Sequence, residues 1–509
     1  MLGYPVPLAM ATQHPDSASR GFTAEEEVEE ALRDLLPRSR GGLGLDEKMI
    51  DYEGKLTPYH QVSWVLDELL KHGLVPEEDF LLTPRVPSER LEEPERQVMV
   101  LWGVIFANKR SLEKTGRQAV RYIINPMSNS GYEMYVLQRR ILKLQRLAEE
   151  ELGAKTGYIE VIPLVEDYES LLHVDKILEG MKNAVLSHLG IHYTSYRVLL
   201  GKSDTALAYG HLTSSLALVY ALSRLRRWAE GEGARVYPIL GVGALPFRGH
   251  LSPWAVEVWR RQYRGYSTVT IQSGLRYDQG PQAVERVVDG LLEGLHEEPR
   301  LLDPETERLV VAASKIFTRE YLRAALRLAP HVERVARFVP RRRARLSSSE
   351  YPRSLEAALV FAGDRELVRQ RPQGVKLPRA ISYAASLYTM GVPPSLVGLG
   401  RGLRTVERSL GGDAVEEVVK LLPLLRLDVE FDAGLYLPGL LEKYTGDEKL
   451  AAMLREDYEV ALSYAGEPRP APEGYEEALL EAYEAIRRGL VERAAAAIAR
   501  AGVLRGSLG

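Results

Sequence analysis

"YIEVIPLVE" (Tyr158–Glu166) and "YRVLLGKSD" (Tyr196–Asp204) decide how this 509-residue chain folds. Each is a short apolar and β-branched run that stops on a carboxylate, as a strand stops at a loop. Six further runs share the pattern: "PLAMATQHP" (7–15), "KMIDYEGK" (48–55), "DFLLTPR" (79–85), "VRYIINPM" (120–127), "VYPILGVGALPFR" (236–248) and "STVTIQSGLR" (267–276). Helical periodicity fills most of the gaps. Thr23 to Glu26 forms a capping-box pattern ahead of an apolar face at Val28, Ala31, Leu32, Leu35 and Leu36. A second helix runs through Val136, Leu137, Ile141, Leu144 and Ala148 and stops near Gly153, a usual C-cap residue.

Eight strands alternating with helices and closing near residue 274 predict a (β/α)8 barrel, with an open doubly wound sheet as the alternative. Such a barrel works at the C-terminal ends of its strands. Those ends carry His14, Lys55, Arg85, Glu166, Asp204, Arg248 and Arg276. From about Tyr277 onward the chain reads as mainly helical, so residues 1–280 are expected to form the barrel and 281–509 a helical portion packed on it.

Composition narrows the chemistry. The chain is 45% hydrophobic and 27% charged with a net charge of -4, which argues against nucleic acid as a bulk electrostatic partner. No apolar run reaches membrane-spanning length, and the N-terminus lacks a basic region followed by a long apolar core, so a cytoplasmic protein is expected. There is no cysteine, which excludes disulfides, thiolate nucleophiles and Cys-ligated metals.

Glu166 and Asp204, with no HxH or HExxH pair elsewhere, point to a hard, oxygen-liganded ion such as Mg²⁺ or Mn²⁺. Arginines form the second theme: Arg85 in "TPRVP", Arg248 in "LPFRGH", Arg276 in "QSGLRYD", Arg353 in "YPRS" and Arg379 in "LPRAISY". Guanidinium groups around a divalent ion suit a small phosphorylated acid. His14, fixed against Pro15 in "MATQHPDSASR" (10–20), is the candidate general base. His211 falls inside a helical pattern and reads as structural, while His60 and His250 stay open. No GxxxxGK[ST] occurs, and Pro246 spoils the helix that a dinucleotide loop would need after "GVGA".

The blocks "ATQHPDSASR", "DYEGKLTPYHQ", "FLLTPRVPSER", "GKSDTALAYGH", "GVGALPFRGH" and "QSGLRYD" resemble, in order and over nearly the whole chain, those of archaeal-type phosphoenolpyruvate carboxylases. The resemblance implies a barrel of the phosphoenolpyruvate/pyruvate type with a large helical C-terminal portion. It implies formation of oxaloacetate and phosphate from phosphoenolpyruvate and bicarbonate with Mg²⁺ or Mn²⁺, by a cytoplasmic homotetramer feeding the tricarboxylic acid cycle.

"TQHPDSASR" is similar to the TAHPT block of the larger bacterial and plant enzymes, which implies His14 as the catalytic histidine. "VIPLVE" and "KSD" are similar to their PLFET and GYSDS blocks and imply Glu166 and Asp204 as metal ligands. Arg248 and Arg379 match arginines of the FHGRGG and RAIPW blocks and are expected to be catalytic. Arg20, Arg85, Arg276, Arg353 and Lys55 are expected to bind substrate. Two departures stand out. Leu207 occupies the position of a family lysine, with Lys202 or Lys55 as replacements, and the His and repeated glycines of FHGRGG are missing. The alternatives are another phosphoenolpyruvate- or pyruvate-handling metal-dependent lyase or mutase, and a catalytically silent metabolite-binding protein on the same barrel.

Overall fold

The computed structural model describes residues 6–13, 17–340, 355–370 and 377–509. Eight parallel strands close into a barrel in sequence order: β1 (Ala9–Thr12), β2 (Glu47–Asp51), β3 (Leu81–Arg85), β4 (Tyr122–Asn125), β5 (Glu160–Val165), β6 (Ser195–Gly201), β7 (Arg235–Gly241) and β8 (Thr268–Ile271). The seam closes between β1 and β8, where Ala11 pairs with Ile271. Each strand overlaps one of the eight apolar runs, β2, β6 and β7 starting one residue earlier, and the open-sheet alternative falls away. Parallel neighbours cannot be joined by tight turns, so helices make the crossovers. The capping box closes as the sequence predicts: Thr23 N donates to Glu26 Oε2 at 2.7 Å, and Glu26 N donates to Thr23 Oγ1 at 3.3 Å. The helix Gly131–Leu152 ends on Gly153 in the left-handed region, at φ 61°.

Alternation along β2 shows how the barrel is layered. Lys48 points outward to the helix Glu26–Leu35, while Glu47 turns into the barrel floor. There Glu47 meets Arg197 of β6 in a two-pronged pair of 2.8 and 2.7 Å. Both are almost fully buried, so each charge depends on the other for compensation. An apolar layer built from Met10, Met49, Leu81, Tyr122, Ile124, Ile162, Leu164, Leu199 and Ile239 fills the barrel interior. It leaves room for polar groups only toward the C-terminal mouth.

After β8, the described elements are all helical. The helix Ala380–Thr389 brings its N-terminus to the mouth, and the helix Val491–Arg505 leads residues 506–509 to the same end. No helix among the described residues is long and apolar enough to cross a membrane.

Candidate active site

A pocket of about 130 Å³ opens at the C-terminal mouth, small beside the roughly 300–1,000 Å³ of drug-sized sites. Every strand, or the segment that follows it, contributes to the wall: Thr12, Glu53, Arg85, Met127, Glu166, Asp204, Arg248 and Gln272, in turn from β1 to β8. Arg379, Ala380 and Ile381 of the helical portion close one side. A larger groove of about 1150 Å³ runs outside the barrel among the helices Glu26–Leu35, Gln61–Lys71 and Pro94–Thr115. Its Asp67 is already paired with Arg110 and Lys114, and no strand end reaches it, so the chemistry belongs to the smaller pocket.

The two predicted metal-binding carboxylates meet there. Glu166 follows β5, and Asp204 sits in the first turn of the helix Ser203–Tyr209 after β6. Thr205 Oγ1 donates to the Glu166 carbonyl at 2.7 Å and ties the two loops together. Gly201 makes the approach possible. A Cβ there would lie 2.9 Å from the Glu166 Cβ and 3.5 Å from its Oε2, so any larger residue would displace the carboxylate. Glu53, which the sequence reading did not single out, adds a third carboxylate to the wall. Burial pushes its carboxyl above the usual range against the pull of Arg85 and Arg379, and Asp204 and Glu92 add to the rise. A bound divalent cation would offset the burial that raises Glu53, and carboxylate oxygens are the donors that Mg²⁺ and Mn²⁺ prefer.

The arginines divide. Arg248, on the short turn Pro246–Arg248, is buried and donates from Nε to Ser203 Oγ at 3.1 Å, from Nη1 to the Gly509 carbonyl at 3.1 Å and from Nη2 to Gln272 Oε1. Arg85 is gripped by Asp51 through Nε and Nη2 at 2.8 and 2.7 Å, while its Nη1 lies 2.8 Å from Glu53 Oε2. Arg379 enters from the helical portion. These three guanidiniums line the pocket together with the carboxylates.

Other expected site residues stand elsewhere. Arg276 is fully buried on a π-helical turn, paired with Glu30 and Asp34 and donating to the Thr12 carbonyl, and it is no part of the wall. Lys55 is paired with Asp51 and donates to the Gln13 carbonyl at 2.9 Å, outside the wall. Lys202 turns its ammonium away to Ser214 and Ser215 at 2.7 and 2.8 Å, and Leu207 is core. Arg20 is exposed, 4.8 Å over the Phe22 ring. His14 and Arg353 lie outside the described residues. Gln13, immediately before His14, is completely buried; its amide donates to Glu27 and Gln61 and accepts from Asp51 N.

A closed parallel barrel with carboxylates and guanidiniums converging on a small pocket at its strand ends defines a barrel enzyme for small anionic substrates. The family model described as phosphoenolpyruvate carboxylase matches residues 6–509. A phosphoenolpyruvate carboxylase of Methanosarcina barkeri is 34% identical over 478 residues, covering 92% of this chain and 90% of that protein. One of Thermofilum pendens is 36% identical over 484 residues, covering 95% of each, and one of Methanopyrus kandleri is 37% identical over 443, covering 83% and 82%. The chain belongs to the phosphoenolpyruvate carboxylase family.

Proposed function

We propose that this chain carboxylates phosphoenolpyruvate with bicarbonate, forming oxaloacetate and inorganic phosphate in the strand-end pocket. The observation that carries this reading is the convergence of Glu166, Asp204, Arg85, Arg248 and Arg379 on one small cavity in a chain of this family. Glu166 and Asp204 would hold a divalent cation, Mg²⁺ or Mn²⁺, which when bound supplies positive charge to the carboxylate and phosphate oxygens of the substrate. Arg85, Arg248 and Arg379 bind the remaining anionic oxygens; the Asp51 grip on Arg85 and the Ser203 and Gln272 contacts of Arg248 hold the guanidiniums in place before substrate arrives.

In the proposed sequence a bicarbonate oxygen attacks phosphorus, and the bond from phosphorus to the enol oxygen breaks. Carboxyphosphate and the enolate of pyruvate result. His14 takes the carboxyphosphate proton, the C–O bond to phosphate breaks, and CO₂ and phosphate form. The enolate carbon then adds to CO₂. A pocket this small limits water, whose proton would divert the enolate to pyruvate. The homotetramer and cytoplasmic setting implied by the family resemblance belong to the same proposal.

The test is a coupled assay with phosphoenolpyruvate, bicarbonate, Mg²⁺ and malate dehydrogenase. Oxaloacetate formation that depends on bicarbonate is expected; turnover independent of bicarbonate would favour a lyase or mutase, and no turnover a silent binding protein. In His14→Asn, bicarbonate-dependent phosphate release should survive while oxaloacetate formation collapses.

A further inference from the structure

Asp428, on the helix Leu425–Ala433, is buried and shares its carboxylate between two imidazoles. His211 Nε2 lies 2.8 Å from Oδ2 and His250 Nδ1 lies 2.6 Å from Oδ1. The two histidines belong to the segments after β6 and β7, which carry Ser203, Asp204 and Arg248 of the pocket wall. His211 opens the helix His211–Glu232, and its carbonyl accepts from Lys202 Nζ at 3.3 Å, beside Ser203 and Asp204. His250 stands two residues beyond Arg248. Asp428 does not itself line the pocket.

The partners of His250 assign its tautomer. Trp254 Nε1 lies 3.2 Å from His250 Nε2, and an indole N–H can only donate. Nε2 is therefore bare, and the ring's proton sits on Nδ1, facing Asp428. Burial alone would raise the Asp428 carboxyl, yet the hydrogen bonds from His211 and then His250 work against it and hold it low, so it stays a carboxylate across the neutral range.

The backbone gives this contact a task. His250 holds φ 58°, one of three non-glycine residues at positive φ among the described residues. Such a conformation costs on the order of 1–2 kcal/mol for an L side chain and persists only when its surroundings enforce it. Gly249 before it sits at φ 125°, where a Cβ would meet Val242 at 2.7 Å. The loop closes on itself through Gly243 N to the Arg248 carbonyl at 2.7 Å and Leu251 N to the Gly243 carbonyl at 3.0 Å.

We propose that Asp428, acting through His250, is a positioning residue for Arg248: a clamp behind the wall that holds the strained loop after β7 so that the guanidinium meets Ser203, Gln272 and the substrate. The proposal rests on the reading that Arg248 acts on substrate. His211 fastens the same carboxylate to the segment after β6, so one buried anion fixes both sides of the Arg248–Ser203 contact.

The experiment is a double-mutant cycle on oxaloacetate formation with Arg248→Ala, His250→Asn and the double variant. Asparagine tolerates positive φ but is too short to reach Asp428 as the imidazole does. His250→Asn should cost turnover up to about 100-fold, as small misplacements of catalytic groups do. In the Arg248→Ala background it should add less than about twofold, because the group it positions is gone. Independent, multiplying losses would show a merely structural role and overturn the clamp, as would normal turnover in His250→Asn.

Normal turnover in Arg248→Ala would remove Arg248 from the reaction and the clamp with it, an outcome told apart by that single variant. Should His250→Asn fail to fold, Asp428→Asn decides. Its amide oxygen can accept from His250 Nδ1, while His211, whose Nδ1 has no hydrogen-bond partner among the described residues, can move its proton there and accept from the amide. Activity within about fivefold of wild type is then expected, against a loss in Asp428→Ala like that of His250→Asn. Equal losses in folded Asp428→Asn and Asp428→Ala would overturn the proposal.

Discussion

Two arginines that follow adjacent strands meet opposite fates. Arg248, after β7, enters the pocket wall held by a hydroxyl, an amide and the backbone oxygen of Gly509. Arg276, after β8, disappears into a sealed cluster in which it and Lys48 share the carboxylates of Glu30 and Asp34. The residue type and the position after a strand are the same in both. What differs is the setting: Arg248 bonds Ser203, Gln272 and the Gly509 backbone oxygen in the wall of the pocket, whereas Arg276 is sealed away from the pocket against two buried carboxylates. A strand-end arginine can meet a ligand where the fold turns it into the pocket, as it also turns Arg85 despite its pairing with Asp51 and Glu53.

The largest expected effect on the sealed side comes from Arg276→Met. Two buried carboxylates would be left with Lys48 alone, and removing one partner of a buried ion pair costs about 3–5 kcal/mol. Thermal melting should fall by many degrees while turnover per folded molecule changes little. Loss of turnover without loss of stability would return Arg276 to the site.

A smaller effect is expected in acid. Burial would raise Glu30, but Lys48 and Arg276 hold it down at about 2, against an ordinary 4.5. The folded state thus binds this proton less readily than the unfolded chain does. The cluster's contribution is fully present above pH 4.5 and is lost as pH falls toward 2. Denaturant titrations of wild type and Glu30→Gln between these values should show a shallower pH dependence in the variant. Equal slopes would mean that Glu30 titrates alike in both states.

The barrel was legible in the sequence because strands buried on both faces leave near-continuous apolar runs, and "VIPLV" and "RVLLG" each stop where β5 and β6 stop. Glu166 and Asp204 were legible for the same reason: they are the first carboxylates beyond those ends. Arg276 was misplaced because its partners lie 246 and 242 residues earlier, on the helix Glu26–Leu35, where Glu30 and Asp34 look like ordinary polar positions. Lys202 stands two residues from Asp204, but Ser214 and Ser215 turn it away. Glu53 was overlooked although it sits two residues before Lys55 in a quoted block. His211 was read as structural, and its bond to Asp428 spans 217 residues, a distance no local pattern records.

The central claim is that the carboxylates after β5 and β6 make the pocket a site for phosphoenolpyruvate carboxylation. The most direct measurement is the oxaloacetate-forming rate of Asp204→Asn, with its Mn²⁺ dependence, in protein whose melting temperature matches wild type. A loss of about a hundredfold or more is predicted, with any residual activity needing far more Mn²⁺. Wild-type turnover with the wild-type Mn²⁺ requirement would contradict the account.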